Sequence, residues 1–130
     1  YNLRRASLNV LSLVRDRLSS LDLRPAEFSV LTLVQANPGV SPTGLSPVLA
    51  IEAPNLANLL DGLERRGLIL RKRQLEDRRR HGLRLTPAGA KLLKQARRMV
   101  DQAEGEATAA LTADECVQLG TLLQKLFLPP

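Results

Sequence analysis

The side chains of this sequence best equipped for chemistry are cations, gathered in one run. Residues 65 to 84, RRGLILRKRQLEDRRRHGLR, hold nine of the nineteen Lys and Arg residues and two of the thirteen acids, a net +7 in a chain whose net charge is +6. Everything outside the run is close to neutral, so the charge is a ribbon and not a general surface property. A ribbon of this kind binds a polyanion, because every phosphate it neutralises releases condensed counterions. Covalent chemistry has little to draw on. The single cysteine, Cys116, and the single histidine, His81, make no disulfide and no Cys/His metal cluster. No nucleophile–base set and no phosphate-cradling glycine loop is present, so the expectation is a binding protein with no cofactor and no metal, not an enzyme.

Composition narrows the polyanion. With one Tyr, two Phe and no Trp, the chain lacks the aromatic platforms on which single-stranded bases stack, which favours a duplex. At 130 residues and 44% apolar content the chain is expected to form one domain with a core of Leu, Val and Ala. It has no apolar stretch near eighteen residues and no basic-then-apolar signal region, so a cytoplasmic protein is expected.

The elements that would position the ribbon follow from periodicity and caps. Apolar residues from Leu3 to Leu21, including Leu11, Val14 and Leu18, predict a first helix apolar on more than one side, which calls for a partner surface. Pro25 opens a second helix carrying Phe28, Leu31 and Val34 and stopped by Asn37-Pro38-Gly39. Ser41-Pro42 starts a third, to about Leu49, in which Pro47 predicts a kink or a late start. A fourth helix, from Ala53-Pro54 to Arg66, puts Leu56, Leu59, Leu60 and Leu63 on one face and Asn55, Asn58, Asp61, Gly62 and Arg65 on the other, with Gly67 as its left-handed stop. Two short helices in tight succession, the second with exposed amides, read as a helix-turn-helix. Residues 68–73 and 82–85 pair as strands about a polar tip at 74–81. Thr86-Pro87 then caps a long helix to about Ala110, and Thr112 with Glu115 forms a capping box for a last one to about Phe127.

A reading helix followed by a basic hairpin is a winged helix. The run LERRGLILRKRQLEDRRRHGLRLTPAGAKLL resembles the MarR family (multiple antibiotic resistance regulators), whose pattern is approximately LExxGLI, a wing with Asp-x-Arg, then LTxxG. Leu63, Glu64, Gly67, Leu68, Ile69, Asp77, Arg79, Leu85, Thr86 and Gly89 match, and the helix order agrees over essentially the whole chain. The resemblance implies a mainly α fold with a small β wing, divided into a winged helix-turn-helix DNA-binding lobe at 25–86 and terminal dimerisation helices at 1–24 and 87–130. It also implies a homodimer with interleaved terminal helices that reads a pseudo-palindromic operator. The half-sites of such an operator lie about one turn, roughly 10 bp, apart.

Candidate DNA-binding residues then have stated roles. Asn55 and Asn58 are placed to read adenine through N6 and N7, although they stand where the family more often has other residues; the bland alternative is a solvated face or a cap. Arg65 lies on the same face. Arg79 is expected in the minor groove, oriented by Asp77, with Arg78, Arg80 and His81 as phosphate contacts or solvated charges. Arg71, Lys72, Arg73 and Arg84 alternate along the strands, so about half of them can face DNA. Ser41 and Thr43 are candidates for clamping a phosphate at a helix N-terminus, and Ser41 is equally explained as an N-cap.

The resemblance further implies a small-molecule crevice between the dimer helices and the DNA-binding lobe. Leu11, Arg15, Leu18 and Phe28 would line it, a cationic rim on an apolar pocket that suits an aromatic carboxylate. Arg15, Arg17 and Arg24 are otherwise solvated or paired with Asp16, Asp22 or Glu27. Two alternatives stay open beside a ligand-released repressor: an accessory factor that binds DNA without a ligand, and an oxidant sensor using Cys116, whose neighbours Asp114 and Glu115 and whose lack of a second cysteine argue instead for a buried structural residue. From another class, a module binding an acidic protein or RNA through its basic wing would show no palindromic duplex preference.

Overall fold

Each helix after the first begins where a capping side chain or a proline stands. The computed structural model describes residues 1–73 and 81–128, which form α1 (Asn2–Ser19), α2 (Pro25–Ala36), α3 (Pro42–Leu49), α4 (Ala53–Arg65), β1 (Ile69–Arg73), β2 (His81–Leu85), α5 (Pro87–Ala107) and α6 (Ala113–Phe127). Proline lies at the first or second position of α2, α3, α4 and α5, where its fixed φ is helical and its missing N–H costs nothing. Ser41 Oγ accepts the Gly44 N–H at 3.2 Å, Thr86 Oγ1 the Gly89 N–H at 2.9 Å and Thr112 Oγ1 the Glu115 N–H at 3.3 Å. Glu115 returns the last of these by accepting the Thr112 N–H at 2.8 Å, which completes the expected capping box.

Gly67 stops α4 with a φ of 70°, as its position after the helix requires. For α3, the alternative of a late start needs correcting. The helix starts at Pro42, directly after its Ser41 cap, so Pro47 does not delay it. Pro47 sits two residues from the helix end, and Ala50 closes the element in the left-handed region at φ 53°. A proline this near the end of a short helix removes one intrahelical bond without interrupting a longer ladder.

The core is aliphatic. Leu18, Val30, Leu31, Val34, Leu45, Leu56, Leu60, Leu63, Ile69, Leu83 and Leu93 are fully buried and draw together α1 to α5 and both strands. α1 lies along α5, where Arg17 pairs with Glu106 at 2.7 Å and the Ser20 hydroxyl reaches Met99 Sδ at 3.4 Å. β1 and β2 run antiparallel, with Ile69 opposite Leu85 and Arg71 opposite Leu83. A segment ahead of α3 adds to the sheet edge: the Gly39 N–H donates to Leu83 O at 2.8 Å and the Leu83 N–H to Val40 O at 2.9 Å.

Two glycines are fixed by contact. Any Cβ on Gly89 would overlap the Leu68 carbonyl, so the start of α5 can press against β1 only with glycine there. A Cβ on Gly82 would lie 3.1 Å from Gly39 Cα, which explains the absence of a side chain where β2 meets the α3 approach.

α6 is the exception to this packing. It buries none of its residues, and Val117, Leu119, Leu122, Leu126 and Phe127 are all exposed. Leu3, Leu8 and Leu11 of α1 are exposed as well, so both chain ends present apolar surface.

Candidate nucleic-acid interface

α4 is built to show a polar face. Leu56, Leu60 and Leu63 are fully buried and fix its rotation, which leaves Asn55, Asn58, Asp61 and Arg65 exposed on the outer side. Asn58, Asp61, Glu64 and Arg65 line one groove of about 610 Å³, while Asn55 and Asn58 share a second of about 420 Å³ with Arg24, Ala26, Ile51 and Leu59. Leu59 is only half-buried, so the apolar stripe is three residues deep and the fourth edges the second groove. Neither Asn55 nor Asn58 has a side-chain partner among the hydrogen bonds of the described residues, which leaves their amides available to an incoming donor–acceptor pair.

The preceding turn is tied more tightly. Ser41 Oγ serves as the α3 cap and also lies 3.0 Å from Thr43 Oγ1, so the capping role of Ser41 is seen directly while Thr43 stays exposed.

At the root of the wing the strand register separates the basic residues. Partners across the ladder share a face, so Ile69, Arg71, Leu83 and Leu85 occupy one side and Leu70 and Arg84 the other. Ile69 and Leu83 are fully buried, and Arg71 therefore starts on the inner side of the hairpin. Its guanidinium donates to Asp61 Oδ1 at 2.7 Å and lies 3.5 Å from Glu64 Oε2 through Nε. The second pairing is close but poorly aligned: Arg71 Nε is buried with no hydrogen-bond partner. Arg84, on the opposite side, is exposed. Asp77, Arg78, Arg79 and Arg80 lie outside the described residues, as do the side chains of Lys72, Arg73 and His81.

Next to Arg71 is an apolar cavity of about 390 Å³ between α3 and α4, lined by Pro42, Ser46, Pro47, Leu56, Ala57 and Leu60 among others. Sequence reasoning did not find this cavity, because it depends on how Pro47 and Ala57 face each other across the turn. Of the residues expected to line a crevice beside the dimer helices, Leu11 and Arg15 are exposed, Phe28 is half-buried and Leu18 is completely enclosed in the core. Leu18 is thus a packing residue in this protomer, a consequence of α5 covering α1. Arg17 takes Glu106 as its partner and not one of the nearby acids, whereas Arg24 pairs with Glu27 at 3.1 Å.

Glu27 is a buried carboxylate that sequence reasoning did not single out. It accepts the Arg24 N–H at 2.8 Å and lies 3.8 Å from Arg66, which joins the start of α2 to the end of α4. The signal was a Glu three residues into a proline-led helix. Cys116 is half-buried and free on α6. Among the described residues no group of three His, Cys, Asp or Glu could hold a metal, and no helix is long and apolar enough to cross a membrane.

Comparison with known proteins points the same way as this geometry. A family model described as MarR family matches residues 23–81. The multiple antibiotic resistance protein MarR of Escherichia coli is 34% identical over 115 residues, which is 88% of this chain and 80% of that protein. Among solved structures, the transcriptional repressor CouR bound to a 23-mer DNA duplex superposes with a TM-score of 0.90 at 38% identity, covering 97% of this chain and 89% of that one. A Mycobacterium tuberculosis MarR family protein in complex with p-aminosalicylic acid has a TM-score of 0.81 at 28% identity, with 97% of this chain and 95% of that one covered.

Proposed function

The chain belongs to the MarR family of transcriptional regulators, DNA-binding winged-helix proteins that are not enzymes, and from that premise we propose that it is a homodimeric repressor of a pseudo-palindromic operator, released by a small aromatic acid. The observation that carries the proposal is the outer face of α4. Its amides at Asn55 and Asn58 are exposed, and the helix leads in sequence into a run of net +7; the amides would supply base readout and the run phosphate attraction. Arg65, Lys72, Arg78 and Arg80 would hold the phosphate backbone, Ser41 and Thr43 would meet it at the start of α3, and Arg79, oriented by Asp77, would enter the minor groove.

A second copy is the partner for the chain ends. Exposed Leu122, Leu126 and Phe127 on a helix that buries nothing need covering, and α1 offers Leu3, Leu8 and Leu11. A two-fold dimer then sets two α4 helices about one helical turn of DNA apart, roughly 34 Å. The effector class is supported by the similarity to the M. tuberculosis MarR family protein bound to p-aminosalicylic acid, and the apolar cavity of about 390 Å³ between α3 and α4 is one place with room for such a ligand.

Selection of bound duplexes from a random pool, with and without a panel of aromatic acids, tests the proposal. An enriched pseudo-palindrome that is lost on adding one acid is the expected result. Enrichment that no acid changes would remove the effector from the account and leave a ligand-independent DNA-binding factor, and no enrichment would remove sequence-specific DNA binding.

A further inference from the structure

We infer that Arg71 is a positioning residue that screens two carboxylates on the reading face of α4, and that it is not itself a phosphate contact. The inference rests on the reading of α4 as the DNA-facing helix. Asp61 and Glu64 line the same groove as Asn58, and they are the only acids of α4. Left alone, two negative charges beside a base-reading amide would face the phosphates of the duplex and oppose its approach. Arg71 reaches both from β1, at 2.7 Å and 3.5 Å.

Three observations describe the place of Arg71 among the ribbon cations whose side chains are described, Arg65, Arg66, Arg71 and Arg84. Its register position is on the buried side of the hairpin, shared with Ile69 and Leu83, while Arg84 is on the exposed side. Its side chain is 30% exposed, against 54% and 43% for the two acids it serves, so it is less open to solvent than either partner. Its Nε is buried without a hydrogen bond, an arrangement poor for stability but adequate for placing positive charge beside two carboxylates. Partly exposed ion pairs add little to stability, so the consequence of this one is read in DNA affinity.

The geometry has a second effect. Because Arg71 belongs to the strand that leads into the wing and both acids belong to α4, the same contacts hold the wing root at a fixed angle to the reading helix.

The test is a cycle of variants measured by fluorescence anisotropy on the duplex enriched by the wild-type protein. Arg71→Ala is expected to weaken binding on the order of tenfold by leaving both carboxylates unscreened. The same change made together with Asp61→Asn and Glu64→Gln is expected to recover most of that loss, to within about threefold of wild type, because nothing is left to screen. If Arg71→Ala loses the same factor in both backgrounds and lowers the salt slope by about one, Arg71 is a phosphate contact and the inference fails. Thermal melting of each variant separates an unfolded protein from a weakened one, and Arg71→Gln replaces Arg71→Ala in the cycle if the latter melts early. A wild-type protein that enriches no duplex would overturn the underlying reading of α4 before the cycle begins, a different outcome from a duplex that is bound without coupling.

Discussion

α4 and α6 are both amphipathic helices, of 13 and 15 residues, and they turn opposite faces to the outside. α4 spends its leucines inward: Leu56, Leu60 and Leu63 are fully buried and the exposed side carries amides and charge. α6 has an equally apolar face, but Leu119, Leu122, Leu126 and Phe127 remain exposed and no residue is buried. A helix that has settled its apolar side within its own protomer offers hydrogen-bonding groups, which suit a hydrated polyanion. A helix that has not settled it leaves an apolar surface uncovered, which in the proposed homodimer a second copy of the chain would cover. The same period of 3.6 residues thus yields an outward polar face in one place and an outward apolar face in the other, the proposed reading and assembly elements.

Breaking the assembly side should have the largest effect. Leu122→Glu places an uncompensated charge in the dimer interface and is expected to raise the dimer dissociation constant by a hundredfold or more, on the order of 3 kcal/mol, seen by sedimentation equilibrium. A dimer that persists at micromolar concentration would put the interface elsewhere.

On the other helix, the inner face should behave as protomer core. Leu60→Ala is expected to lower unfolding stability by about 2–5 kcal/mol in denaturant titration, while Leu122→Ala leaves the isolated protomer within about 0.5 kcal/mol. Equal costs at the two positions would erase the contrast between the helices.

The outer face of α4 should respond in binding alone. Asn58→Ala is expected to weaken the selected duplex by about 1–3 kcal/mol and to relax preference at one base pair, with the melting temperature unchanged. Weakening that is uniform across sequences would make Asn58 a backbone contact.

The smallest effect concerns the start of α6. Hydrogen bonds from the Thr112 N–H and hydroxyl hold the Glu115 carboxyl below its ordinary range. A group with a lowered folded-state pKa contributes stability above its unfolded value, near 4.3, and loses it as the pH falls through the folded value. The start of α6 should therefore lose a little stability in acid below about pH 4, and Glu115→Gln should remove that dependence. Identical acid unfolding curves for the two proteins, followed by circular dichroism, would take the capping box out of the pH dependence.

Much of the architecture was legible because its boundaries are chemical. Pro25, Ser41-Pro42, Gly67, Thr86-Pro87 and Thr112 with Glu115 mark helix ends by side-chain type, and the structure uses each of them. What escaped the sequence depends on where elements meet. Arg71 looks like its neighbours in a run of cations until the strand register assigns it to the buried side. Leu18 belongs to the core because α5 lies over α1, and Arg17 finds Glu106 across 89 positions of chain. Pro47 was read by a rule for helix interiors, but a helix ending two residues later has little interior to disrupt. The Leu68 carbonyl that makes Gly89 obligatory is likewise visible only once α5 and β1 are in place.

The central claim, that the exposed face of α4 reads duplex sequence, is tested most directly by the affinity of the wild-type protein for its selected duplex against a scrambled duplex of equal length at one salt concentration. The account predicts a ratio of about a thousand or more, falling steeply when Asn55 and Asn58 are both replaced by Ala. A ratio near one, unchanged by those replacements, would contradict it and leave the basic run as a sequence-blind surface.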